Sequence, residues 1–256
     1  MNFPDNTAAF DFEAKALANN YTVVCPTLRG YPPSDVPDYT DAYDLMTVAS
    51  GFFAILDHFG AEKAFVGGHG FGGAAIQTST FLHPERVLGL IIINSPIAPK
   101  FYDLVNHDSE QQKLSEYTIP CIRYQDGDPK NAEFIVRNIR NPERREELLH
   151  YLTESPMHRM LSYYKKSYPA PPYGQKVDTS MMLFRIPALI IWDLEEEYFS
   201  TKLLDGPPEY LLERLRVVLV PGAGHWSFQD KPAVVSREIR SWLEGLRSET
   251  RCEVGT

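Results

Sequence analysis

Apolar positions along this chain change period several times, and each change marks a boundary between elements. Tyr21 to Cys25 is a short β-branched and aromatic run stopped by Pro26, which predicts a strand. After the turn-rich stretch Arg29 to Asp35, the segment Asp44 to Phe59 puts Leu45, Val48, Phe52, Ile55, Leu56 and Phe59 at helical spacing and closes on Gly60. Ala64 to Gly67 reads as a second strand, which the glycines between Gly67 and Gly73 break into a helix running to about Leu82. Val87 to Asn94 is almost continuously apolar, as expected of a strand buried on both faces. Leu189 to Trp192 and Leu215 to Val220 repeat that pattern, and Val234 to Leu246 is an amphipathic closing helix. Strands alternating with helices predict an α/β fold built on a doubly wound parallel sheet.

The middle of the chain breaks the alternation. Residues 97–183 are tyrosine-rich and charged, carry helical patterns and no buried strand, and include the linker Tyr168-Pro169-Ala170-Pro171-Pro172-Tyr173-Gly174. They predict a helical cap inserted over the C-terminal edge of the sheet, where open α/β sheets bind ligands. The core is then residues 1–96 and 184–256.

Composition narrows the classes of function. The 256 residues suffice for one sizeable core, and 43% of them are hydrophobic. A net charge of -9 with no Lys/Arg stripe argues against a nucleic-acid partner. Cys25, Cys121 and Cys252 are an odd number at no metal-like spacing, so neither a disulfide framework nor a metal site is expected. No basic-then-apolar leader stands at the N-terminus and no apolar run is long enough for a membrane span. A cytoplasmic location, no membrane association and no cofactor are the expectations.

Chemistry concentrates in Phe65-Val66-Gly67-Gly68-His69-Gly70-Phe71-Gly72-Gly73. Gly68, Gly70 and Gly73 fit G-x-G-x-x-G, the dinucleotide fingerprint, but the following strand ends in Asn94 and lacks the acidic residue that motif needs. The same stretch fits a nucleophile elbow, in which small residues flank a nucleophile on a strained strand-to-helix turn. Gly68 and Gly72 take the flanking places, and Gly70 stands where Ser, Asp or Cys would be.

On these residues the chain resembles the epoxide hydrolases of the α/β-hydrolase superfamily, relatives of the haloalkane dehalogenases. The resemblance rests on Gly68 to Gly73, on His83-Pro84-Glu85-Arg86-Val87 and on Leu90 to Asn94. It continues through Phe3-Pro4-Asp5, Leu28-Arg29-Gly30-Tyr31 with Ser34-Asp35, and Pro221-Gly222-Ala223-Gly224-His225-Trp226. It implies that His225 is the water-activating histidine and that an acid beyond Trp192 pairs with it. Glu196 aligns best, with Asp193, Glu195 and Glu197 close by. Leu161 to Lys165 resembles the cap segment whose tyrosine acts as general acid, which points to Tyr164. The second tyrosine of the family falls on Pro120, counted back from Arg123-Tyr124-Gln125, with Tyr117 or Tyr124 as substitutes. Phe3 and Phe71 occupy the two oxyanion backbone positions, and His69, Tyr124, Tyr163 and Trp226 are the expected pocket residues.

Two departures shape the reading. Glycine has no side chain and forms no covalent intermediate, so Gly70 removes the usual nucleophile. Three outcomes stay open: direct acid-base chemistry on a small apolar metabolite (hydrolysis, or cyclisation or isomerisation), a ligand-binding pseudoenzyme, or a dinucleotide-binding protein. The second departure is the start of the chain inside the oxyanion loop. The family's N-terminal strands are missing, including the one between those equivalent to Tyr21–Cys25 and Ala64–Gly67. An unpaired edge would invite association, and a homodimer is one expected consequence.

Overall fold

The apolar run beginning at Val87 forms the centre of the molecule. In the computed structural model, which describes residues 3–175, 177–179 and 182–254, it is the strand β2, Val87–Ile93. It lies between β1, Ala64–His69, and β3, Ala188–Asp193, and β4, Leu215–Val220, follows, giving a four-stranded parallel sheet in the order β1-β2-β3-β4. Successive side chains of a strand face opposite ways, so β2 serves two cores. Leu90 and Ile92 pack in the layer that includes Ile76, while Ile91 and Ile93 join the layer of Ile239, Trp242 and Leu243. Each such side chain contributes about 1.5–3 kcal/mol by leaving water.

Helices cover both faces. Outside the cap they are α1, Asp11–Leu17, α2, Leu45–His58, and α3, Phe71–Leu82. Asp44 caps α2 by accepting the Met46 N–H at 2.9 Å, and Gly60 follows the helix with φ 64°. Between β2 and β3 the chain leaves the sheet and forms seven short helices: α4, Ala98–His107; α5, Ser109–Leu114; α6, Thr118–Arg123; α7, Ala132–Ile135; α8, Pro142–Glu154; α9, Met157–Met160; and α10, Ser162–Ser167. No strand interrupts them among the described residues. After β4 come α11, Ser227–Asp230, and α12, Pro232–Val254.

One expected strand is not formed. Tyr21 to Cys25 has no strand pairing, and Val23 and Val24 stand 37% and 41% exposed. A strand exists only through the hydrogen bonds of a neighbour. Among the described residues no strand lies between this segment and β1, so its β propensity has nothing to pair with.

Parallel pairing aligns the strand ends. His69 is opposite Ile93, Ile93 opposite Ile191, and Asp193 opposite Val220. Gly70, Asn94, the 194–200 loop and the 221–226 loop therefore emerge together along one edge. The cap is tied down beside it: Gln77 of α3 donates to the Pro96 carbonyl at 2.9 Å and accepts the Ala98 N–H at 3.0 Å. Among the described residues no helix is long and apolar enough to cross a membrane.

Candidate active site

The turn from β1 into α3 is made by Gly70, with φ 51° and ψ −121°, backbone that a Cβ opposes. Its surroundings demand small residues. A Cβ on Gly68 would lie 2.4 Å from the Gly72 carbonyl oxygen, and one on Gly73 would lie 2.3 Å from Ser95 Oγ. The Gly70 N–H donates to the Ile93 carbonyl at 3.2 Å, which fixes the turn to the end of β2.

The residues on either side of Gly70 belong to two different clusters. His69 is fully buried, with its ring 4.5 Å from that of His225 and 4.8 Å from Phe228. Its Nε2 donates to the His225 carbonyl at 2.8 Å. Burial, and then the proximity of His225, hold its pKa well below the ordinary value, so the ring is neutral. Phe71 faces the cap, 5.4 Å from the Tyr163 ring and 6.0 Å from Tyr164. Phe3 reaches the same place, 6.3 Å from Tyr164.

His225 sits in the loop after β4, 2% exposed. Both carboxylate oxygens of Glu196 lie 2.9 Å from its Nδ1. Nδ1 is therefore the donor, and Nε2 is the basic nitrogen of the neutral ring. The other acids take different partners. Glu197 accepts the backbone N–H of His225 at 3.2 Å, and Glu195 accepts from Arg140 of the cap at 2.8 Å. Asp193, the last residue of β3, accepts from Asn94, whose Nδ2 also donates to Glu196 at 3.2 Å. Burial pushes the Glu197 carboxyl up, and the His225 N–H works against it.

Tyrosines of the cap and of the 194–200 loop stand beside His225. The Tyr198 ring is 4.9 Å from His225 and 4.6 Å from Tyr117, and Tyr117 is 6.3 Å from Tyr164. Tyr117 and Tyr164 meet edge to face, and burial holds both phenols well above their ordinary pKa. Both stay protonated and able to donate. A continuous aromatic path thus runs from Tyr164 to the imidazole.

The structure brings His225, Glu196, His69 and Trp226 into one group, and Phe3, Phe71, Tyr163 and Tyr164 into a second. Gly70, flanked in the chain by His69 and Phe71, lies between them. Two of the expected pocket residues have their polar atoms engaged away from the site. Tyr163 spends its hydroxyl on the Arg29 carbonyl at 2.8 Å, and Trp226 gives its Nε1–H to Asp5 at 2.8 Å. Tyr124 is not brought to the site: its hydroxyl donates to the Asp128 carbonyl at 2.7 Å. Tyr117, three residues beyond the helix α5 rather than at position 120, stands next to Tyr164 instead. Nothing in the sequence marks Asn94, Tyr198 and Ser227 as neighbours of the histidine–acid pair. Asn94 has φ 43° directly after β2, but side chains of this kind are common at strand ends, and no spacing signal marks them. Clefts of about 680 Å³ beside Phe134 and His150, and of about 450 Å³ beside Asp126 and His158, lie in the cap and are lined by none of these residues.

Comparison with known proteins supports the same family. The epoxide hydrolase 3 of Xenopus tropicalis is 24% identical over 260 residues, covering 94% of this chain and 69% of that protein. The epoxide hydrolase A of Mycobacterium tuberculosis is 23% identical over 288 residues, covering 95% and 88%. A crystal structure of the Bacillus megaterium epoxide hydrolase in complex with an inhibitor superposes with a TM-score of 0.81 at 21% identity, over 95% of this chain and 91% of that one. The model of the alpha/beta hydrolase family matches residues 3–238, and the chain belongs to that family.

Proposed function

We propose that this chain is an epoxide-hydrolase-like enzyme that acts on a small apolar molecule by acid-base chemistry, without a covalent intermediate. The observation that carries the reading is the Glu196 carboxylate, held with both oxygens 2.9 Å from His225 Nδ1 at the sheet edge where Gly70 makes its turn. In this reaction His225 Nε2 takes a proton from water as the water oxygen attacks an epoxide carbon. The carbon–oxygen bond breaks, and the ring oxygen takes the phenolic proton of Tyr164, whose ring lies 6.3 Å from that of Tyr117. The imidazolium, neutralised by Glu196, then returns a proton to the tyrosinate. Gly70 offers no oxygen or sulfur for an ester, so hydrolysis has to use water directly.

The test is turnover of aryl and alkyl epoxides by the purified protein and its variants. His225→Ala and Glu196→Gln are expected to lower the rate by about 100-fold or more, and Tyr164→Phe to slow ring opening. A single turnover in H₂¹⁸O should place the label in the diol. Unlabelled diol from the first turnover would overturn direct water attack. Gly70→Asp opens the covalent route on a backbone already bent for it. Tight binding with no turnover in the native protein, but turnover in Gly70→Asp, would identify a ligand-binding relative instead.

A further inference from the structure

Beneath His225 the sheet edge holds one carboxyl more than a histidine–acid pair uses. Asp193 is fully buried, and the Glu196 side chain is 1% exposed. One amide group, Nδ2 of Asn94, donates both to Asp193 Oδ2 and to Glu196 Oε2. Asn94 is itself oriented by Ser227, whose Oγ donates to its Oδ1 at 2.5 Å. The other Asp193 oxygen, Oδ1, is buried and receives no hydrogen bond among the described residues.

The charges around this pair are otherwise occupied. Arg140 is taken by Glu195 at 2.8 Å and Asp230 at 3.5 Å, and Asp230 also accepts the Gly224 N–H at 2.9 Å. Glu197 accepts the His225 N–H, and His69 is neutral. The group left to face the two carboxyls is the imidazole. Two carboxylates sharing a buried donor cannot both be ionised at ordinary cost, and one retains a proton. An ionised Asp193 would also leave Oδ1 as a buried, unsatisfied acceptor.

We propose that Asp193 is a positioning residue: as a neutral carboxylic acid it donates the proton on Oδ1 to Glu196, so that one negative charge, held from below, faces Nδ1 of His225. Burial first, then the charge and hydrogen bond of Glu196, outweigh the opposing backbone N–H of Glu195, push the Asp193 carboxyl up to about 9 and keep it protonated at neutral pH. Glu196 is then bonded on every side: by His225 Nδ1, by Asn94, by the Tyr198 N–H at 2.9 Å and by Asp193. The consequence is chemical. Two negative charges under the imidazole would hold the ring protonated and useless as a base, whereas one charge orients it and balances the imidazolium only when it forms.

This inference rests on the reading of His225 and Glu196 as the reacting pair, and its test reads the side chains themselves. The full chain, labelled with ¹³C at aspartate carboxyls and ¹⁵N at histidine rings, is titrated from pH 5 to 10 alongside Asp193→Asn and Asp193→Ala. One aspartate resonance, absent from both variants, should stay at its protonated position through pH 7.5. In Asp193→Asn the amide replaces the acid as donor, so the midpoint of the His225 ring resonances should not move. In Asp193→Ala it should move by about one pH unit or more, as Glu196 loses its anchor. The proposal is overturned if the Asp193 resonance titrates in the ordinary carboxylate range. It is equally overturned if Asp193→Asn lowers the ring midpoint by about one unit, the mark of a lost charge, or if Asp193→Ala leaves the ring unchanged. Should the alanine variant fail to fold, the native carboxyl titration decides alone. Absence of epoxide turnover with these signals intact would count against the proposed reaction and not against the role of Asp193.

Discussion

Glu13 shows at the scale of one residue what burial without a cation costs. It lies on α1, 5% exposed, with Ser236 Oγ 3.4 Å from one oxygen and no partner for the other. Burial pushes its carboxyl from 4.5 up to about 7, against its own backbone hydrogen bond and that of Ser236. The folded state therefore holds the proton more tightly than the unfolded chain. The contribution of this one group to stability is whole below pH 4.5, falls away as pH rises through about 7, and amounts to about 3 kcal/mol in all. Glu13→Gln removes that dependence. Urea unfolding should find the variant more stable than the native protein by about 2–3 kcal/mol at pH 8 and little changed at pH 4. Equal stability at pH 8 would show that water reaches the native carboxylate.

At the scale of elements, the join of β1 to α3 is set by contact between backbones. The site for a Cβ on Gly68 is 2.4 Å from the Gly72 oxygen, 2.5 Å from the Gly72 carbonyl carbon and 2.8 Å from the Gly73 nitrogen, and backbone atoms cannot rotate away. Gly68→Ala must lift the first turn of α3 from the strand. The expected cost is about 1–3 kcal/mol, read as a lower Tm, and the shift should carry Gly70 away from the Ile93 carbonyl it bonds. Gly60→Ala makes a useful comparison: a Cβ there meets nothing within 4 Å, so only the strain of φ 64° is paid. A larger loss at Gly60 than at Gly68 would contradict the packing account. Close approach of backbones leaves a residue-type signature that an ordinary loop does not, and the glycine spacing is legible in the sequence for that reason.

At the scale of the whole molecule, Asp5 joins three separate parts. It is 1% exposed, accepts from Arg144 of α8 at 3.0 Å, from Trp226 at 2.8 Å and from Gln229 at 3.2 Å and 3.1 Å. The early loop, the cap and the histidine loop thus close on one carboxylate. Arg144→Ala leaves it buried without its cation, at an expected cost of about 3–5 kcal/mol by denaturant unfolding. Limited proteolysis should then cut first within residues 97–183. Asp5→Asn combined with Arg144→Met should recover most of the loss, and failure to do so would mean that the arginine acts through packing rather than charge. The sequence by itself determined what depends on neighbours along the chain. The unbroken apolar run at Val87, the helical spacing after Asp44 and the small residues around Gly70 each prescribe a local conformation, and together they order the elements of an α/β-hydrolase fold. Only the tertiary structure decided what depends on partners distant in the chain. Four acids lie between residues 193 and 197, and their order says nothing about which one turns towards His225. The pairing followed from the β3 and β4 ends being side by side and from Arg140 drawing Glu195 away. Tyr117 reached Tyr164, and Tyr124 did not, because they stand at opposite ends of α6, and the far end turns Tyr124 to the Asp128 carbonyl. Tyr21 to Cys25 has the side chains of a strand and, among the described residues, no strand to pair with, since hydrogen bonds between strands are a property of two segments and never of one.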